Sequence, residues 1–368
     1  PARLGAGGLG CGVGQMAPAM LNLEDINTSQ DRFADSFDPE NEENNYHMPH
    51  HVFKQLQLKH YRQECSEVVP GELYISSYQV ASNLESLQRW RITHIVNTAA
   101  DVCDSCFPDL ITYTTYYLKD TNSEEISLLF YRTLEWIQNA INRGGRVLVH
   151  CREGVSRSAT MVIAYLMWRF RLSFEAAHER LRKARPICNP NTGFTCQLLL
   201  LGKKLGIGPS GTPCGASEPA LLFRVGPHHP REPFLVLVPV EWQAPPLLSL
   251  DPRFGWVVQR GLQLVLWLGS QTPDAAAARA AVAQHAARLQ TFEGSQCAVS
   301  TVHEGQETAI WWQALGMPAA GPPEPMAAPA PRPALDADFE VLTAVAAGGS
   351  EAGVPARPSA ALKVPLAA

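Results

Sequence analysis

At 368 residues the chain has room for about two domains. With 46% hydrophobic and 18% charged residues, its makeup is that of a water-soluble protein rather than a disordered or membrane-embedded one. A net charge of -5 excludes a general attraction to nucleic acid or anionic lipid. Nine cysteines without a repeating spacing argue against a disulfide framework and for a reducing compartment. Cys103 and Cys106 form a C-x-x-C with no second pair at zinc spacing, so two ordinary thiols and no metal are expected. No stretch reaches the roughly 20 apolar residues that span a bilayer. The opening "PARLGAGGLGCGVGQM" lacks the charged start and apolar core of a secretory signal. The expected location is the cytoplasm, with the nucleus as an alternative.

Residues 1–49 mix Gly/Ala with acidic and Asn-rich pieces and read as disordered. A first globular region is expected over 50–206. Within it "ELYISS" is a strand, "NLESLQRW" an amphipathic helix, "THIVNTAA" a strand and "TYYLKD" another. "SLLFYRTLEWIQNAI" reads as a helix and "RVLVH" as an aliphatic strand. Helices "SATMVIAYLMWRF", "SFEAAHERLRKA" and "GFTCQLLLLGKKLG" follow. Strands that alternate with helices and are apolar throughout predict an α/β fold with a mainly parallel sheet flanked by helices. Turn formers at 207–218 read as a linker. Residues 219–316 carry strands in "ALLFRV", "FLVLVPV", "FGWVVQRG" and "LQLVLWLG", then the helix "PDAAAARAAVAQHAARLQ". "CAVSTVHEG" and the helical "AIWWQALG" complete a smaller α+β module. Residues 317–368 are Pro/Ala-rich and are expected to remain unpacked.

The chemistry concentrates in "RVLVHCREGVSRSATMVIAYLM", Arg146 to Met167. A buried strand ends at His150-Cys151, and a helix opens at about Ser158. Backbone amides at a helix start have no intrahelical partner and carry positive potential, so the intervening loop is suited to a phosphate. Gly154 admits a backbone geometry that a Cβ would block. Arg157 offers a planar fork to two phosphate oxygens. The same field lowers the pKa of the Cys151 thiol and supplies a thiolate nucleophile aimed at phosphorus.

This H-C-R-E-G-V-S-R-S pattern resembles the signature of cysteine-dependent phosphatases of the dual-specificity type, and the resemblance covers about Val69 to Gly206, including "AYLM" and "NPNTGF". It implies hydrolysis of phosphotyrosine and phosphoserine/threonine through a phosphocysteine intermediate, with no metal or other cofactor. Carried over, Cys151 is the nucleophile, and the amides of Arg152, Glu153, Gly154, Val155, Ser156 and Arg157 hold the phosphate. Arg157 also stabilises the transition state, and Ser158 hydrogen-bonds the sulfur as it leaves. His150 tunes the thiol from behind, and Asn191 braces the loop.

Expelling a serine or tyrosine oxygen requires a proton at the leaving group. Asp120, in "YYLKDTNSEE" and 31 positions before Cys151, is the expected acid. It would then serve as base for the attacking water. Asp101, Asp104, Glu124 and Glu125 are the alternatives. A loop with no lysine disfavours phosphoinositides, and the absence of a basic stripe disfavours RNA. A phosphorylated protein is the expected substrate.

"LLFRVGPHHPREPFLVLVPV" and the text that follows it to "AIWWQAL" resemble a gelsolin-type repeat. A dual-specificity phosphatase domain followed by a gelsolin-like segment is the arrangement of plant mitogen-activated protein kinase phosphatases. That pairing implies an activated MAP kinase as substrate. Arg253-Phe254-Gly255 stands where calcium-binding repeats carry Gly-Asp, so no calcium site is expected. A scaffold or kinase-docking role is expected of this segment ahead of actin binding. The alternative for the whole chain is a phosphoprotein-binding adaptor that works through the gelsolin-like domain.

Overall fold

A computed structural model describes residues 33–34, 36–39, 45, 47–207, 220–232, 234–240, 250–321 and 335–346. The expectations for 1–32, for nearly all of the linker at 207–218, and for 322–334 and 347–368 lie outside the described residues. The chain divides into two compact units, residues 1–60 and 61–368.

In the first unit, Val52, Phe53 and Leu56 share one face of helix α1 (His50–Tyr61). They bury with Met48, and Phe33 and Phe37 pack on the cluster. The Phe37 and Phe53 rings lie 5.8 Å apart. For the described residues between 33 and 49 the expectation of disorder is corrected: two phenylalanines and a methionine pack on the amphipathic helix.

The second unit begins with β1 (Ser66–Val69) and β2 (Leu73–Ser76), then short helices α2 (Tyr78–Ala81) and α3 (Leu84–Arg89). Strands β3 (His94–Asn97) and β4 (Thr112–Thr115) lead to a 3-10 turn, Ile126–Leu129, that runs into α4 (Phe130–Asn142). Strand β5 (Val147–His150) is followed by α5 (Arg157–Phe170), α6 (Phe174–Ala184) and α7 (Thr192–Lys204). The sheet order is β1-β2-β5-β3-β4. The β2–β5, β5–β3 and β3–β4 pairs are parallel, and β1 is antiparallel to β2. The sheet is therefore mixed. Only a short turn joins β1 to β2, with Gly71 at φ +73, and a connection that short cannot return a parallel strand.

All four residues of the central β5 are buried, which is why it reads as an aliphatic run up to His150. Every residue of α5 from Arg157 to Met167 is buried as well, since α4, α6 and α7 all pack against it. Strand β5 and helix α5 meet at the loop 151–156, at the carboxyl end of the parallel strands, where α/β sheets place their ligands.

The strand expected over "TYYLKD" lies elsewhere. Thr112–Thr115 pairs with β3, and Tyr116 to Asp120 leaves the ladder. That stretch spends its backbone groups on other partners: Arg157 donates to Leu118 O at 3.0 Å and Lys119 N donates to Glu124 at 3.2 Å.

The second sheet holds β6 (Leu221–Gly226), β7 (Val236–Val240), β8 (Gly255–Arg260), β9 (Gln263–Leu268) and β10 (Ala298–His303), in the order β10-β9-β8-β6-β7. Its pairs are antiparallel except β9–β10, which are joined through the long helix α8 (Ala275–Glu293). Helix α8 covers one face, with Ala278, Val282 and Leu289 against Val257, Leu264 and Leu266. Trp311 of α9 (Ala309–Ala314) packs on the other, among Trp256, Val258 and Trp267. The module is α+β, as its element order predicts.

The expectation that nothing beyond residue 317 packs is corrected by helix α10 (Asp336–Ala346). Its Leu342 is 4% exposed in the Trp256 cluster, and Phe339 packs alongside. Asp338 pairs with the nearly buried Arg224 at 2.8 Å. The Pro/Ala composition around it masks one amphipathic turn pattern, "DFEVL". Leu342→Ala is expected to destabilise this sheet by about 2 kcal/mol, measured as a lower denaturant midpoint in chemical unfolding.

Candidate active site

Cys151 follows β5 directly and is buried at 2% exposure. Its Sγ accepts a hydrogen bond from Gly154 N at 3.2 Å and another from Ser158 Oγ at 3.2 Å. The amides of Val155 and Ser158 also point at the sulfur. The loop thus curls its N–H groups inward around one atom. Gly154 makes this possible twice over. Its φ is +71, and a Cβ there would lie 2.5 Å from Ser76 O and 2.7 Å from the Arg185 guanidinium.

Burial alone would push the Cys151 thiol up. The Arg157 charge, the Ser158 hydroxyl and the inward amides outweigh it, and its pKa falls below the ordinary value. The neighbouring thiols lack that balance: burial pushes Cys103 up to about 11 and Cys188 up to about 12. Of these three thiols, Cys151 alone is held below its ordinary pKa, the direction that favours a nucleophile. His150 is fully buried, its ring Nδ1 3.3 Å from Cys151 O and stacked on Tyr78 at 6.1 Å. Burial, with Arg157 nearby, lowers its pKa to about 4, so the ring behind the cysteine stays neutral.

Arg157 opens α5 with its guanidinium inward, and Nη1 donates to Leu118 O at 3.0 Å. Its Nε lies 3.6 Å from Asp120 Oδ2 and has no hydrogen-bond partner among the described residues. Asp120 Oδ1 accepts from Ser156 Oγ at 2.7 Å and from Asn191 Nδ2 at 2.9 Å. The structure thus brings Cys151, Arg157, Ser158, Ser156, Asp120 and Asn191 into one cluster of contacts. Asn191 serves twice, because its Oδ1 caps α7 by accepting from Phe194 N at 2.9 Å. Of the alternative acids, Glu124 is engaged by Lys119 N and by His228. Asp101, Asp104 and Glu125 are solvent-exposed.

Arg152 and Glu153 contribute backbone to the cradle while their side chains turn away. The Arg152 carbonyl accepts from Tyr78 N at 3.1 Å. The Glu153 carboxylate is gripped by Arg62 through Nε at 2.5 Å and Nη2 at 3.1 Å, so the one acid of the loop is neutralised outside it. Val155 O is held by Asn189 N at 2.8 Å.

Arg185 escaped the reading of the sequence. It is fully buried and donates five hydrogen bonds, to Gly154 O at 2.9 Å, Glu153 O at 3.1 Å, Tyr61 O at 2.7 Å, Glu64 O at 3.1 Å and Ser66 Oγ at 3.4 Å. By taking the outward carbonyls of the loop, it leaves the amides free to face inward. Its surroundings, "RKARPICNP", read as an ordinary basic helix end followed by a turn. The available signal was the Pro186 that stops the helix one residue later.

Residues 73–204 match the family "Dual specificity phosphatase, catalytic domain". They form a dual specificity phosphatase catalytic domain. The chain is similar to the protein-tyrosine-phosphatase MKP1 of Arabidopsis thaliana, 32% identical over 302 residues, or 80% of this chain and 37% of that protein. It is 42% identical over 137 residues to the protein phosphatase Slingshot homolog 3 of Homo sapiens, which is 37% of this chain and 20% of that one. The crystal structure of human tyrosine phosphatase-like serine/threonine/tyrosine-interacting protein is 36% identical, covering 37% of this chain and 94% of that chain, with a TM-score of 0.36. The chain spans well under half the length of the curated relatives named here. The MKP1 likeness is more than twice as long as the phosphatase domain, so it extends beyond it.

The depressed thiol of the phosphatase domain has a direct readout. A group whose pKa is lowered stays ionised to lower pH, so alkylation of Cys151 by iodoacetamide is expected to remain fast below the usual thiol range. Ser158→Ala removes one of the stabilising donors and is expected to shift that pH profile upward.

Proposed function

We propose that the protein hydrolyses phosphoproteins at phosphotyrosine and phosphoserine/threonine through a phosphocysteine, and that its target is an activated MAP kinase. The observation that carries the reaction is the pairing of a buried Cys151, its pKa lowered, with an inward amide loop and Arg157. The sulfur attacks phosphorus, an S–P bond forms, and the P–O bond to the substrate oxygen breaks. Arg157 and the loop amides hold the equatorial oxygens as their charge develops. Asp120 delivers its proton to the departing oxygen, then takes one from the water that attacks the phosphocysteine. The S–P bond breaks, phosphate leaves, and Ser158, 3.2 Å from the sulfur, supports the returning thiolate.

The choice of a MAP kinase rests on the resemblance to plant MAP kinase phosphatases and on the long match to MKP1 of Arabidopsis thaliana. We read 50–206 as the catalytic domain and 219–316, with α10 added, as a gelsolin-like module used for recognition or as a scaffold. A five-stranded mixed sheet with a long helix on one face and short helices on the other supports that reading. The cytoplasm is the proposed compartment, with the nucleus as the alternative. Among the described residues, no helix is long and apolar enough to cross a membrane.

The test is phosphate release from a doubly phosphorylated MAP kinase, with the Thr and Tyr sites followed separately by mass spectrometry. Cys151→Ser is expected to abolish turnover while retaining phosphoprotein binding. Turnover in that variant would remove Cys151 from the mechanism, and intact binding by a wild-type chain that releases nothing would favour an adaptor.

A further inference from the structure

The segment from Tyr116 to Glu124 supplies Asp120 and the Leu118 carbonyl that accepts from Arg157. The β4 ladder ends at Thr115, and past it only Tyr116 still bonds beside β3, its N donating to Asn97 O at 2.8 Å. Beyond Ser156 and Asn191 at Asp120 and Gln197 at Glu124 O, the loop between β6 and β7 adds a further hold. Glu232 Oε1 accepts from Tyr117 N at 3.3 Å. The Tyr117 ring stacks on His229, 4.7 Å between centroids and 11° from parallel, with Arg231 5.4 Å from its centre. Phe234 meets Tyr116 edge-on at 6.2 Å and lies 3.8 Å below the Arg132 guanidinium.

At the centre of this contact is His228. Its Nε2 is 3.0 Å from Glu124 Oε1 and its Nδ1 is 3.5 Å from Glu232 Oε2. Glu124 in turn accepts from Lys119 N at 3.2 Å, which closes the turn containing Asp120 upon itself. Glu232 is 1% exposed and Glu124 half-buried, and two carboxylates that share one imidazole in so little solvent favour a cation between them. Burial opposes charge on His228, but the two carboxylates prevail and raise its pKa to about 9.

Simple docking of the two sheets does not call for such a cluster. Apolar contact is supplied elsewhere, by Phe292 of α8 against Trp168 at 5.0 Å and Tyr131 at 5.1 Å. A buried ion pair adds little stability over apolar side chains of the same size, and its better-attested use is to specify one arrangement. We propose that the β6–β7 loop is a positioning element of the phosphatase site, in which His228, bridging Glu124 and Glu232, holds the turn that presents Asp120 over Cys151. The second module then contributes to proton transfer whatever its target. This inference rests on the reading of Asp120 as the acid.

The experiment compares kcat for phenyl phosphate, whose leaving group needs a proton, with kcat for difluoromethylumbelliferyl phosphate, whose leaving group does not. It uses the full chain with His228→Ala, His228→Gln, Glu232→Gln and Asp120→Asn. Asp120→Asn is expected to collapse the phenyl-to-umbelliferyl ratio, and His228→Ala to lower it about tenfold. His228→Gln, which keeps one donor, should recover part of the loss. Equal slowing of both substrates by His228→Ala, or no slowing, overturns the inference while the acid reading stands. A ratio unmoved by Asp120→Asn overturns both. If His228→Ala does not fold, Glu232→Gln decides on the same ratio.

Discussion

One buried guanidinium sets the terms for the whole site. Arg157 supplies the charge that lowers the Cys151 pKa against its own desolvation, and it ties the Asp120 segment to the cradle through Leu118 O. A cation in this position is worth far more than it would be in water, because little solvent intervenes to screen it. Its partners are acceptors or anions: the Leu118 carbonyl, the Asp120 carboxylate and the Cys151 sulfur. Helix α5, buried from Arg157 to Met167, holds the base of the side chain while its guanidinium reaches Leu118 O.

Much of this was legible before any coordinates. The Cys-x5-Arg spacing, Gly154 and the aliphatic run of β5 each require a particular backbone, and together they admit little besides a strand, a tight loop and a helix. Asp120 was legible as the acid candidate by its place after the strand. What holds it there was not. Ser156 and Asn191 reach it from residues 36 and 71 positions away, and neither contact leaves a local pattern. Arg185 was hidden for the same reason, since a side chain that satisfies five distant acceptors looks in sequence like any arginine at the end of a helix.

The misplaced elements share a cause. "TYYLKD" has the β-branched and aromatic content of a strand, but tertiary partners claim its backbone groups one by one. Helix α10 and the Phe33–Met48 cluster sit inside stretches whose average composition suggests no core. In each case two or three apolar residues find a surface already built by the rest of the unit. Composition averages over windows, whereas packing is decided by single side chains.

Arg185 also says where the catalytic unit begins. Three of its five acceptors, Tyr61 O, Glu64 O and Ser66 Oγ, lie ahead of residue 73, where likeness to the phosphatase family starts. Arg62, which neutralises Glu153, lies there too. A fragment cut at the family boundary would leave a charged guanidinium in the core with part of its shell missing, directly behind the phosphate loop. The edge of this domain is therefore drawn by hydrogen-bond satisfaction rather than by sequence similarity, about a dozen residues earlier.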